Sequence, residues 1–228
     1  MPKRRKIKPA KWHICTEGVT EQNYLEGCLK ELGLQDRVIV NCGPRRESGC
    51  GKKHEQLLDQ VQRCIPRKGP FAQQWLLHDL DDGKIDPKEC TCFNDTFRRA
   101  WADAEVKVIF FCPCFEYWLI LHDQDYEMDS AQGPCQTKFQ SIYEKRRKAQ
   151  NRPVGEKDNY KTDPELFQLL GGLVGMNTAI KRAEERLPSP PDFIQPRGFE
   201  CSRYCPGTNF HVLLKELLVL SKQVAAED

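Results

Sequence analysis

Trp12-His13-Ile14-Cys15-Thr16-Glu17-Gly18-Val19-Thr20-Glu21 decides the fold: a short apolar run ends in an acidic, glycine-containing turn and leads straight into an amphipathic pattern. It reads as a β-strand that delivers a carboxylate at its end. A second run, Gln74-Trp75-Leu76-Leu77-His78, finishes the same way at Asp79-Leu80-Asp81-Asp82-Gly83. In open α/β sheets functional groups gather in the crevice outside the carboxyl ends of the strands, where loops converge and helix N-termini point inward. Asp79 and Asp81 are two apart and close enough to flank one cation in an extended chain or a turn. Mg²⁺ takes a hard oxygen shell, keeps several waters and is bound through a few carboxylates and a substrate phosphate. Glu17 is then the third acid, and the expected cofactor is Mg²⁺ or Mn²⁺.

Working outward, elements alternate. Tyr24, Leu25, Cys28, Leu29 and Leu32 recur at helical spacing, and Gly33 is placed to end that helix. Residues 37–42 read as a second strand. Leu57, Leu58, Val61, Cys64 and Ile65 mark a helix closed by Pro66, and residues 74–78 form a third strand. Residues 92–104 read as helical, and Val106 to Cys112 is a continuous apolar run suited to a buried strand. This β-α-β-α order predicts a mainly parallel sheet with helices on both faces. Beyond about Asp123 the chain is polar and broken by Gly133-Pro134, Arg152-Pro153 and Ser189-Pro190-Pro191, with helices expected at 137–150, 164–186 and 208–225. Phe210, Leu213, Leu214, Leu217 and Leu218 make an apolar stripe, so the last helix is expected to dock on the sheet. The domain reading is a basic arm at 1–11, a catalytic core at 12–125 and a mostly helical region at 126–228 packed on it.

The 228 residues carry a net charge of only +2, yet Lys3, Arg4, Arg5, Lys6, Lys8 and Lys11 crowd the first eleven positions, so the remainder is net acidic. Such an arm suits a phosphate backbone as well as it suits a solvated terminus. Arg45, Arg46, Lys52, Lys53 and the run Lys145-Arg146-Arg147-Lys148 add basic patches. Beside an acidic metal centre they point to a polyanionic substrate, DNA or RNA. No apolar run approaches the ~20 residues that span a bilayer, and no secretory leader follows the basic start, so a cytoplasmic protein with no membrane partner is expected.

Twelve cysteines are present. Cys15, Cys28, Cys64 and Cys112 fall at apolar positions, where a free thiol packs as a small hydrophobe. Of the close pairs Cys90-x-Cys92, Cys112-Pro113-Cys114 and Cys201-x-x-x-Cys205, only the last has a zinc-like gap. Reduced, buried thiols are the expectation, with zinc as the weaker alternative and disulfides weaker still. Glu21 reads as an ordinary helix-start acid favoured by the macrodipole. His78 and His122 read as structural, and Tyr160-Lys161 as a surface pair within reach of phosphate. Glu116, close behind Pro113, is open between a cap-region acid and a metal ligand.

Glu17-Gly18-x-Thr20-Glu21 followed by Asp79-x-Asp81 resembles the Toprim catalytic domain of topoisomerases, bacterial primases and OLD-type nucleases. Pro113-Cys114-Phe115-Glu116-Tyr117-Trp118-Leu119-Ile120-Leu121-His122, Tyr160-Lys161 and Pro206-Gly207-Thr208 narrow the likeness to the RloB-like family. The resemblance implies a Toprim, Rossmann-like α/β fold with a mainly parallel sheet and a helical C-terminal extension. It implies that Glu17 transfers protons while Asp79 and Asp81 hold Mg²⁺, with Asp82 and Glu116 as looser candidates, and that Lys161 joins the basic arm in contacting nucleic acid. The activity implied is metal-dependent phosphodiester hydrolysis of DNA or RNA, including tRNA, by an endonuclease in antiviral defence or restriction-modification loci, beside an AAA or ABC-type ATPase. The chain has no GxxxxGK[ST] loop of its own, in keeping with a separate ATPase. A topoisomerase needs large strand-holding regions, and a primase a template-binding module; neither is apparent. The alternative is a non-catalytic nucleic-acid-binding or scaffold subunit of an ATPase complex. Homo-oligomers are compatible with the size, although no heptad pattern supports them.

Overall fold

The computed structural model describes residues 11–42, 71–79, 106–123, 135–152, 159–187 and 206–227. In chain order the described elements are β1 (Lys11–Thr16), α1 (Val19–Glu31), β2 (Val38–Cys42), β3 (Phe71–Asp79), β4 (Val106–Cys112), α2 (Phe115–Ile120), α3 (Cys135–Ala149), a 3₁₀ turn (Tyr160–Thr162), α4 (Leu166–Leu169), α5 (Gly172–Arg186), β5 (Gly207–Thr208) and α6 (Phe210–Ala225). The protein is α/β, with a mostly parallel five-stranded sheet flanked by helices, in the order β2-β1-β3-β4-β5.

β1 runs parallel to both its neighbours, with Ile14 opposite Val40 on one side and Trp75 on the other. A strand paired on both edges and covered on both faces must be apolar throughout, and every residue from Trp12 to Thr16 is buried. β3 and β4 continue the parallel set, and β5 adds an antiparallel edge with Thr208 opposite Phe111. The chain leaves β1 for β2 on one side and then returns to β3 on the other. The strand order therefore reverses between β1 and β3, which is the topological switch point where α/β sheets place their ligands.

α1 buries Tyr24, Leu25, Cys28 and Leu29 against the sheet and ends where Gly33 takes a left-handed φ of 68°, letting Leu34 N–H reach back to Leu29 O at 2.9 Å. Gly27 of the same helix lies so close to Phe167 that a Cβ would sit 2.6 Å from that side chain's own Cβ. α6 docks on β4 through Phe210, Leu213, Leu214 and Leu217, all fully buried. Ahead of it, Asn209 Oδ1 accepts from Phe110 N–H at 2.8 Å and its amide donates to Val108 O at 3.2 Å. Thr208 Oγ1 donates to Phe110 O at 2.7 Å, so the short fifth strand is fastened by side chains as well as by its ladder.

Three expectations are corrected. The helix expected at 164–186 is two helices, because Gly171 (φ 95°) and Gly172 (φ 56°) turn the chain between α4 and α5. Thr208, expected to open the last helix, belongs to β5, and the helix starts at Phe210. Cys112 is as buried as its apolar setting requires but is disulfide-bonded, since burial is compatible with either oxidation state. Cys15 and Cys28 are free and buried as expected. The helices expected at 57–65 and 92–104, the paired cysteines at 90, 92, 201 and 205, and Cys64 lie outside the described residues. No described helix is long and apolar enough to cross a membrane.

Candidate active site

Thr16 closes β1 by donating from Oγ1 to Gly18 O at 3.0 Å, which turns the chain sharply into α1. The Glu21 side chain folds back beneath this turn, so that a Cβ at Gly18 would stand 2.8 Å from Glu21 Oε2 and the carboxylate would have to shift. Glu17, at the apex, crosses to β3. Its Oε2 accepts from Asp79 N–H at 3.1 Å and lies 3.1 Å from His78 Nδ1. The carboxylate of one strand is thus held by the backbone of the next, directly over the switch point.

Asp79 carries the chain of contacts onward, its Oδ1 accepting from Phe115 N–H at 3.0 Å at the start of α2. One residue later Glu116 is buried, and its Oε1 accepts from Tyr160 O–H at 2.7 Å. Tyr160 is itself buried against Phe139 and Tyr143, and burial together with the Glu116 carboxylate pushes its phenol up from its ordinary range. The Cys114 thiol is pushed well up from its ordinary range, first by its neighbour Cys135 and then by burial and the Glu116 carboxylate. Lys161 lies close enough to Glu21 to act on its charge, and its carbonyl accepts from Thr20 Oγ1 at 3.5 Å.

Four carboxylates, Glu17, Glu21, Asp79 and Glu116, therefore converge from three strand ends and their neighbouring helices. Glu21 is only 5% exposed. Burial pushes its pKa up to about 7, with repulsion from Glu17 and Glu116 adding to the rise, while its own backbone hydrogen bond and Lys161 oppose it. Buried hard oxygen donors that repel one another suit a divalent cation. Among the described residues no three acidic, histidine or cysteine side chains are close enough to form a finished metal site. Asp81 and Asp82 lie outside the described residues, so the donor chemistry fits a cation while the described ligand set is incomplete.

Of the residues singled out in the sequence, Glu17 and Asp79 are brought into contact, and Glu116 joins them through the neighbouring Phe115 N–H. Lys3, Arg4, Arg5, Lys6, Arg45, Arg46, Lys52 and Lys53 lie outside the described residues. In the basic run of α3, Lys145 and Lys148 are exposed, but Arg146 donates to His122 O and Leu169 O, and Arg147 pairs with Asp163 at 3.4 Å. Half of that run is therefore spent on holding α3 in place.

Two readings change. Glu21 is not an ordinary helix-start acid but a buried member of the cluster. Tyr160 is not a surface residue, and no local pattern announces its bond to Glu116. His78 is buried and satisfied, as a structural histidine is expected to be, with the Glu17 carboxylate as its partner.

A family model described as RloB-like protein matches residues 12–217. No curated protein and no solved structure matches the chain.

Proposed function

We propose that this chain, which belongs to the RloB-like family, is a divalent-metal-dependent nuclease of Toprim type that hydrolyses phosphodiester bonds in DNA or RNA. The observation that carries this reading is the link between Glu17 after β1 and Asp79 at the end of β3 at the switch point, beside Glu21, which burial and then its acidic neighbours push up to about 7. Glu17 is the proton-transfer group. The Asp79 N–H and the His78 ring hold one of its oxygens. Asp79 and Glu21, joined by Glu116 and by Asp81 and Asp82, would hold Mg²⁺ or Mn²⁺. When bound, the cation orients the scissile phosphate, offsets its developing charge and lowers the pKa of an attacking water. The Phe115 N–H keeps Asp79 in position, and Tyr160 does the same for Glu116. Lys161 and the basic N-terminal arm would attract the substrate backbone. An AAA or ABC-type ATPase partner and a role in antiviral defence or restriction-modification are part of the same proposal and rest on family likeness.

The test is cleavage of single-stranded DNA, duplex DNA, total RNA and tRNA with Mg²⁺ or Mn²⁺ by wild type, Glu17→Gln and Asp79→Asn. Both substitutions keep a side-chain oxygen where the neighbouring N–H donates. Metal-dependent cutting that falls on the order of 10²–10⁴-fold in Glu17→Gln supports the proton-transfer role. Cutting unaffected by either substitution would move the active site elsewhere, and inert wild type even with an ATPase partner supplied would favour the scaffold reading.

A further inference from the structure

We infer that Tyr143 on α3 and Asp163 at the end of the 3₁₀ turn are positioning residues for the acidic centre, acting through the Tyr160 hydroxyl on the Glu116 carboxylate. On the metal-dependent reading proposed above, on which this inference rests, their effect is a tighter hold on the divalent cation.

A 3₁₀ turn of three residues is held only weakly by its own backbone: Thr162 N–H donates to Asn159 O at 3.0 Å and Asp163 N–H to Tyr160 O at 3.3 Å. Side chains fasten it further. At one end Asn159 Oδ1 accepts from Lys161 N–H at 3.0 Å. At the other, Asp163 is 9% exposed and both its oxygens are used. Its Oδ1 accepts from Glu165 N–H at 2.8 Å just ahead of α4, and its Oδ2 accepts from the Tyr143 O–H at 2.8 Å. Arg147, one turn further along α3, donates to the same Oδ2 at 3.4 Å.

Tyr143 therefore meets the turn twice. Its hydroxyl holds Asp163, and its ring lies 6.1 Å from that of Tyr160, which Phe139 of α3 flanks edge-on at 4.9 Å. α3 also packs on α2, the helix that carries Glu116. One helix thus supports both partners of the Tyr160–Glu116 bond, whose length is 2.7 Å. That length lies in the middle of the O–H···O range, and a shift of the turn by about 0.5 Å takes the bond outside it.

The energetics favour placement over stability. Taking the Asp163 carboxylate and the Arg147 guanidinium out of water costs about as much as their attraction returns, so the pair adds little net stability. What it contributes is a single arrangement of the turn. Partners behind a metal ligand act in this way, by fixing the direction in which the ligand presents its oxygens.

Mn²⁺ titration calorimetry on the full chain compares wild type with Tyr160→Phe, Tyr143→Phe and the double variant. Each substitution removes one hydroxyl and keeps the ring, so the packing of α3 on the turn survives. Tyr160→Phe should bind about tenfold more weakly, the low end for loss of a partner behind a metal ligand. Tyr143→Phe should lose about threefold, the scale of coupling within one hydrogen-bonded network. The double variant should bind no more weakly than Tyr160→Phe, because the Tyr160 hydroxyl is the group through which Tyr143 acts. A role confined to folding would lower stability and leave affinity alone. Unchanged affinity in Tyr143→Phe, or the same loss with and without the Tyr160 hydroxyl, overturns the inference. Absence of Mn²⁺ binding in every sample would instead sink the metal reading of the site. Urea unfolding of the same proteins then judges the positioning: coupled losses from the two hydroxyls uphold it, and additive losses overturn it.

Discussion

One turn of α1 divides two interiors that answer burial in opposite ways. Glu21 points into the acidic centre; three residues on, Tyr24 points into an aromatic hub with Phe115, Trp118, Phe167 and Phe210, at ring distances of 5.1–6.3 Å. The hub also contains His122, whose Nε2 lies 3.1 Å from the Tyr24 hydroxyl. There, burial drives His122 down to about 3 and the Tyr24 phenol well up, so both stay neutral and satisfy each other. In the acidic centre the same desolvation acts on Glu21, which Glu17 and Glu116 repel. The hub removes its charge, whereas in the acidic centre burial and repulsion together hold Glu21 up to about 7.

The largest expected effect breaks the hub. Phe210 is fully buried and packs edge-on against Trp118 at 5.0 Å and Phe111 at 5.3 Å. Phe210→Ala should cost about 3–5 kcal/mol in urea unfolding, the usual range for such a cavity. It should leave the pH dependence of stability unchanged in shape, because no titrating group is removed.

The next effect has the opposite sign. Glu21 carries a folded pKa of about 7 against 4.5 when unfolded, so between those values the folded state keeps a proton that the unfolded chain has released. Its contribution is full below about pH 4.5 and is lost as pH rises through 7. Glu21→Gln cannot ionise, and it should stabilise the metal-free protein at pH 8 by on the order of 3 kcal/mol while changing little at pH 4. Thermal unfolding at the two pH values checks this. Added Mn²⁺ should flatten the wild-type slope, and equal stabilisation at both pH values would show that Glu21 does not carry a raised pKa in the folded protein.

The contrast also explains what could be read from the chain. β1 and β4 were legible because strands covered on both faces are mostly apolar, and Trp12 to Thr16 and Val106 to Cys112 are so apart from His13, Thr16 and Lys107. Glu17 and Asp79 stand together because Glu17 follows β1 and Asp79 ends the neighbouring β3. Glu21 was misread because helix-start acids are common, and only the third dimension shows that the Gly18 turn folds it inward. Tyr160 was illegible for a related reason: its bond to Glu116 spans 44 residues of sequence and depends on how the 3₁₀ turn meets α2. The break between α4 and α5 lay in Gly171-Gly172, which a helical apolar pattern on either side concealed.

The smallest expected effect sharpens the hub side of the comparison. Tyr24→Phe keeps the ring and its packing but removes the hydroxyl facing His122 Nε2, leaving a buried nitrogen without that partner. The cost should be about 1–3 kcal/mol at pH 8. The acid limb should survive, because burial, the largest cause of the His122 shift, remains. For a histidine held down to about 3, stability is full above the ordinary value of 6.5 and falls as pH drops towards 3, since the unfolded chain takes up the proton first. Glu21 slopes the other way over an overlapping range, so the double variant Tyr24→Phe/Glu21→Gln should isolate the His122 limb. A double variant flat from pH 7 to pH 4 would mean that the Tyr24 hydroxyl, rather than the closed aromatic cage, keeps His122 neutral.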